Sequence, residues 1–132
     1  MRVGITFGTF DLLHIGHINI LERAKAVCDY LVVGVSTDAL TIAKKGVPPV
    51  YPEAERIRIV SSLRVVDFTF PEESLEAKAD YIKRFHADVL VMGQDWEGKF
   101  DHLNELCEVL YLPRTPNIST TEVRAEIFSR PA

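Results

Sequence analysis

The sequence predicts an α/β fold, a doubly wound, Rossmann-like sheet of five parallel strands with helices on both faces. Three observations carry this. Short apolar runs rich in β-branched residues recur five times along the chain. Between them lie stretches whose apolar residues repeat at spacings of three and four, so strand and helix alternate as a parallel sheet with right-handed crossovers requires. The first run breaks at a glycine and leads directly into an amphipathic segment. That junction lies where such sheets bind ligands, outside the carboxyl ends of the strands.

The elements follow in order. Residues 3–7 form the first strand, which ends at Gly8-Thr9-Phe10-Asp11, and residues 18–27 the first helix. Residues 30–36 form the second strand. Residues 44–52, Lys-Lys-Gly-Val-Pro-Pro-Val-Tyr-Pro, hold too much proline for a helix or a central strand and read as a surface loop. Beside a phosphate cleft, a loop with two lysines suits a mobile lid. Residues 54–63 are helical, 65–70 the third strand, 75–85 helical, 89–92 the fourth strand, 103–106 a short helix, 109–112 the fifth strand and 120–128 the last helix. No internal repeat or low-complexity segment interrupts the alternation.

With 132 residues the chain has room for one domain, so its function sits in a single cleft or at a dimer interface. Hydrophobic residues at 47% and charged residues at 26% are ordinary for a globular protein. A net charge of −4, from 15 basic against 19 acidic residues, argues against nucleic acid as a partner. Any phosphate site must therefore be basic only locally. No run approaches the roughly 18 apolar residues of a membrane span, and no leader pattern opens the chain, so a cytoplasmic location is expected and no membrane partner. Cys28 and Cys107 lack metal-type spacing and are expected reduced and buried.

Residues 8–17, Gly-Thr-Phe-Asp-Leu-Leu-His-Ile-Gly-His, carry the chemistry. The first N–H groups of a helix have no intrahelical partner, and the aligned peptide dipoles place about half a positive charge there, so an anion fits. Gly8 lets the chain turn and a ligand approach the backbone; Gly16 keeps the space between the imidazoles clear. His14 and His17, three apart in the first turn, fall on one face and can both donate to one phosphate. The plainer reading makes them capping or surface histidines. Zinc on this spacing lacks a third ligand nearby in sequence.

A second helix start follows the last strand. Ser119 has the position of an N-cap and Glu122 the spacing of a capping box. Arg114 and the hydroxyls of Thr115, Ser119, Thr120 and Thr121 exceed what a cap needs and could hold outer phosphates. Asp95 and Trp96 follow the fourth strand, where a carboxylate could accept from a ribose or base and an aromatic ring could pack on a nucleotide, or Trp96 could cap the core.

Gly8-Thr9-Phe10-Asp11 with His14-x-Gly-His17 resembles the cytidylyltransferase-like family of nucleotidyltransferases. Residues 93–101, Gly-Gln-Asp-Trp-Glu-Gly-Lys-Phe-Asp, and 114–121, Arg-Thr-Pro-Asn-Ile-Ser-Thr-Thr, are similar to segments of its glycerol-3-phosphate cytidylyltransferase branch. The resemblance runs over nearly the whole chain, with the motifs in the family's order. It implies transfer of a cytidylyl group from CTP to sn-glycerol 3-phosphate, giving CDP-glycerol and pyrophosphate, with the product feeding a glycerol-phosphate polymer such as teichoic acid. The alternative in the same class is CTP or ATP acting with another small phosphate acceptor.

The resemblance also distributes roles. His14, His17, Lys44 and Arg114 would be catalytic. Gly8, Thr9, Phe10, Ile15, Gly16, Lys45, Asp95, Trp96, Thr115, Ile118, Ser119, Thr120 and Thr121 would join His14, His17 and Arg114 around the nucleotide. Asp11, Lys44 and Lys78 would bind the acceptor. Arg56 and Arg64 match arginines of the family, with a structural or dimer-interface role. The chain departs from the pattern at Gln94, where the family commonly has an acid, and in the Lys44-Lys45-Gly46 spacing. Mg²⁺ is expected to arrive on the nucleotide, with no dedicated protein metal site, because it keeps most of its waters and binds through substrate phosphates. A homodimer is expected from the family.

Overall fold

A computed structural model describes residues 1–116 and 118–131. Its five strands, β1 (Val3–Gly8), β2 (Tyr30–Ser36), β3 (Phe68–Glu72), β4 (Val89–Gly93) and β5 (Glu108–Leu112), form one sheet in the order β3-β2-β1-β4-β5. Every neighbouring pair is parallel. The helices are α1 (Ile15–Ala26), α2 (Asp38–Lys45), α3 (Glu53–Ser61), α4 (Lys78–Arg84) and α5 (Thr120–Ser129). This is the expected doubly wound sheet. Its strand order reverses between β1 and β4, which fixes where a ligand crevice opens.

The central strands are buried on both faces, and side-chain alternation divides them cleanly. Leu31, Val33, Val35, Val89 and Val91 meet Leu21 and Ala24 of α1 and Val60 of α3. On the opposite face Ile5, Phe7, Val32, Phe70, Leu90 and Met92 meet Ile82 of α4 together with Phe100 and Leu103. Helices thus cover both faces.

Several boundaries differ from the sequence reading: α1 begins at Ile15 rather than at residue 18, and α4 begins at Lys78 rather than at residue 75. Residues 38–45, read only as part of a connection ending in a lysine-bearing loop, form α2. Thr37 caps it by accepting from the Leu40 N–H at 3.1 Å, and Gly46 ends it at φ 78°. Lys44 and Lys45 therefore lie in the last helical turn, where cations are favoured, and the loop proper begins at Gly46. The third strand lies later than expected because Val66 still closes the turn after α3, donating to the Leu63 carbonyl at 3.2 Å. Pro71 is tolerated in β3 because β3 is an edge strand. Residues 103–106 make only a 3₁₀ turn at Asp101–Leu103 and its continuation. Of the cysteines, both free, Cys107 is buried as expected but Cys28 is only half-buried, its thiol near the Ala24 carbonyl at 3.3 Å.

Candidate active site

A cavity of about 790 Å³ opens at the carboxyl ends of β1–β4, bounded by the β1–α1 connection, α2, the segment after β4 and the start of α5. In the β1–α1 connection Phe10 and Leu12 have φ of 54° and 47°. Such conformations cost of order 1–3 kcal/mol on non-glycine residues and persist only where the surroundings impose them. The surroundings are identifiable. Arg56 donates to the Thr9 carbonyl at 2.8 Å, Thr120 donates through its hydroxyl to the Asp11 carbonyl at 2.9 Å, and the Phe10 ring packs on His17 with centroids 5.5 Å apart. Gly8 is extended and belongs to β1, so its role is space rather than a turn. A Cβ there would lie 2.9 Å from the Phe10 ring.

His14 and His17 close the first turn of α1 as a capping box. His14 Nδ1 accepts from the Gly16 N–H at 3.0 Å, and His17 Nδ1 accepts from the His14 N–H at 3.1 Å. An Nδ1 that accepts carries no proton, so each neutral ring bears its proton on Nε2. The rings stack with centroids 3.8 Å apart. Burial lowers the His17 pKa to about 4, with the neighbouring His14 adding to it. Burial also lowers that of His14, with Arg114 second. Both are thus neutral donors at pH 7. A Cβ on residue 16 would come within 2.8 Å of the His14 ring, so glycine there is what permits this arrangement.

Two lysines reach the floor on the β3 side. Lys78, the first residue of α4, is buried rather than solvated. Its ammonium donates to Glu72 Oε2 at 2.6 Å and lies 4.6 Å and 5.1 Å from the ring centroids of Phe7 and Phe100. Half-buried Lys44 donates to Ser36 Oγ at 3.3 Å, and its pKa is lowered chiefly by burial. Lys45 is exposed at the edge of the same cavity.

Across the cleft, Ser119 caps α5 by accepting from the Glu122 N–H at 3.0 Å, the cap read from the sequence. Thr120, Thr121 and Ile118 line the cavity beside it. Thr115 accepts a hydrogen bond from Asn19 at 3.0 Å. Asn117, within the same segment, lies outside the described residues. Arg114 faces Asp95 across the mouth at 3.7 Å, a long and exposed pair of the kind that contributes almost nothing to stability, so both groups are available to a ligand. Trp96 lines the cleft and also packs on Phe100, centroids 5.5 Å apart, so it is partly a core cap.

The cavity brings together every predicted site residue except Ile15, which is 58% exposed outside it. One of the predicted site residues has its atoms engaged in an unexpected way. The Asp11 carboxylate is buried and accepts from the Val50 and Tyr51 N–H groups at 2.7 and 2.9 Å. It ties the 46–52 loop to the β1–α1 connection. Arg56, fully buried, holds the same region by donating to the carbonyls of Tyr51, Thr9 and Ser36 and to Asp38 Oδ1 at 2.7–2.9 Å. The structural alternative weighed for Arg56 is the one these bonds describe; Arg64 is exposed.

The chain has counterparts among known proteins. The family model "Cytidylyltransferase-like" matches residues 5–126. The chain belongs to that family. Cytidylyltransferase-like relatives match along the full length. Glycerol-3-phosphate cytidylyltransferase of Bacillus subtilis (strain 168) is 52% identical over 96% of this chain and 98% of its own. The enzyme of that name from Staphylococcus aureus (strain NCTC 8325 / PS 47) is 45% identical over 100% of this chain and 99% of its own. Among solved structures, a lipopolysaccharide core biosynthesis protein from Thermoplasma volcanium GSS1 superposes with a TM-score of 0.75 at 27% identity, over 87% of this chain and 98% of that one.

Sequence reasoning missed Ser36, Glu72 and Arg124, all of which line the cleft of this cytidylyltransferase-like domain. Ser36 and Glu72 end their strands, a position that could have singled them out once the strand boundaries were right. Arg124 lies one turn beyond Thr120 and Thr121 in α5, and that spacing was a readable signal.

Proposed function

We propose that this chain, one nucleotidyltransferase domain over residues 1–132, transfers a cytidylyl group from CTP to sn-glycerol 3-phosphate, releasing CDP-glycerol and pyrophosphate. The observation that carries the reading is the pair of neutral, backbone-oriented imidazoles, neither of whose Nε2–H groups is hydrogen-bonded among the described residues, facing a second helix start capped by Ser119. The full-length relatives of that name support the choice of substrates.

The reaction is an in-line displacement. An oxygen of the acceptor phosphate attacks the α-phosphorus of CTP, the bond to the bridging oxygen breaks, and its electron pair leaves with pyrophosphate. The nucleophile is already an anion at pH 7, so no side chain needs to remove a proton. What the protein supplies is position and charge neutralisation. His14 and His17 donate through Nε2–H to the phosphates at the α1 start. Arg114, with the N–H groups and hydroxyls of Ser119, Thr120 and Thr121, holds the outer phosphates. Lys44 and Lys78 hold the acceptor phosphate, and Lys45, Asp95 and Trp96 border the nucleoside.

Among the described residues no three His, Cys, Asp or Glu side chains gather to hold a metal. Mg²⁺ would arrive on the triphosphate of CTP, where it would neutralise phosphate charge beside His14, His17 and Arg114. No helix among the described residues is long and apolar enough to cross a membrane. The enzyme acts in the cytoplasm as a homodimer, a state supported by Ile15, Ile127 and Phe128, which are 58%, 57% and 81% exposed. Its product feeds a glycerol-phosphate polymer such as teichoic acid.

The test is pyrophosphate release measured over four nucleoside triphosphates and a panel of small acceptor phosphates, with the nucleotide product identified by mass. CTP with glycerol 3-phosphate should give the highest kcat/KM. A higher value for ATP, or for a sugar phosphate, would overturn the assignment.

A further inference from the structure

We infer that Glu72 is the positioning residue of the acceptor pocket, aiming both of its lysines from one carboxylate. The inference rests on the reading that Lys44 and Lys78 bind the acceptor phosphate.

The parallel register sets Ser36 of β2 opposite Glu72 of β3, at the last position of both strands. Opposed residues of a parallel pair project to the same face, so the hydroxyl and the carboxylate meet at the carboxyl edge of the sheet. The two oxygens of Glu72 then divide the work. Oε2 accepts from Lys78 at 2.6 Å, and Oε1 accepts from Ser36 Oγ at 3.3 Å. Ser36 in turn accepts from Lys44 at 3.3 Å. Lys44 comes from the end of α2 and Lys78 from the start of α4. Among the described residues these elements share no other polar link at the floor; a single buried carboxylate joins them.

The burial makes the arrangement costly unless it has a use. Glu72 and Lys78 have side chains 1% and 3% exposed. A buried ion pair generally gives no more stability than a well-packed apolar pair of similar volume. Its value here is geometric. A lysine is a flexible four-carbon chain with a mobile point charge. Lys78 is held from three sides, by Glu72 and by the rings of Phe7 and Phe100, so the direction of its two remaining N–H groups is set before substrate arrives. The carboxylate also leaves the two-lysine pocket with one net positive charge.

Glu72→Gln keeps the size and an acceptor oxygen but removes the charge. It is expected to raise the KM for glycerol 3-phosphate about ten- to hundredfold, the range for losing a charged hydrogen-bond partner, with the KM for CTP within about twofold. A protein that had merely lost packing would show both constants moving together, and that result would overturn the inference. In a double-mutant cycle with Lys78→Met, Glu72→Gln should add to the acceptor KM no more than the effect of the Ser36–Lys44 arm, about three- to tenfold, since its ion-pair partner is gone; full additivity would also overturn it. If Glu72→Gln does not fold, Ser36→Ala tests the other arm. It leaves the ion pair and should raise the same KM about three- to tenfold, whereas no change would refute the link to Lys44. Failure of the underlying reading looks different: Lys78→Met and Lys44→Met would then raise the KM for CTP and leave that for glycerol 3-phosphate unchanged.

Discussion

His17 has two separable duties, and substitution can divide them. Its Nδ1 accepts the His14 N–H at 3.1 Å and so caps α1, while Nε2–H is the proposed donor to phosphate. In His17→Asn the side-chain carbonyl can stand where Nδ1 stood, but nothing extends to the place of Nε2. His17→Ala loses both. Loss of a cap costs about 1 kcal/mol. For a domain of this size that is a Tm decrease of about 3–6 °C. Loss of one preorganised donor to developing charge typically costs about 10²–10³ in kcat. Both variants should therefore lose turnover to a similar degree, and only the alanine variant should also lose the Tm increment. The assays are steady-state pyrophosphate release and thermal unfolding. An asparagine variant with near wild-type kcat would refute the donor role. Equal melting losses in the two variants would refute the capping argument.

The same residue makes stability depend on pH. Because burial holds the folded-state pKa of His17 at about 4, against an unfolded value near 6.5, the unfolded chain binds an extra proton between those pH values. Stability should fall as pH drops from about 6.5 to 4, by up to roughly 3 kcal/mol from this group, and His17→Asn should flatten that part of the urea-unfolding profile. Arg56→Met strands three carbonyls and the Asp38 carboxylate, and should destabilise by about 3–5 kcal/mol in denaturant titration; a loss below about 1 kcal/mol would contradict the organising role given to it. Arg114→Ala should raise the KM for CTP at least about tenfold and leave that for glycerol 3-phosphate nearly unchanged, since its proposed partners are the outer phosphates. Sedimentation at micromolar concentration should give twice the 14.9 kDa of one chain, and a monomer mass would exclude the dimer.

The sheet was legible because its determinants are local. Residues 30–36 read as a strand from composition, and the structure places β2 at those positions. Ser119 was readable as a cap because capping needs one side chain and one nearby N–H. α2 was missed although its cap at Thr37, its terminal lysines and Gly46 were all in view, because the prolines that follow dominated the reading of the whole segment. The engagement of Asp11 and the burial of Lys78 were not legible. Both depend on pairing across the fold, Asp11 with N–H groups some 40 positions away and Lys78 with a glutamate whose orientation follows from strand register. Motif spacing singled out residues that the fold gathers in one cleft. Only the tertiary structure says which of their atoms are already taken.

The central claim is that His14 and His17 present neutral Nε2–H donors to the triphosphate of CTP. The most direct measurement is ¹⁵N NMR of imidazole-labelled protein at pH 7, with and without CTP. Both histidines should show a protonated Nε2 and an unprotonated Nδ1 in the free protein, and both Nε2 signals should move when CTP binds. Protonation on Nδ1, or Nε2 signals that do not respond to CTP, would contradict the account.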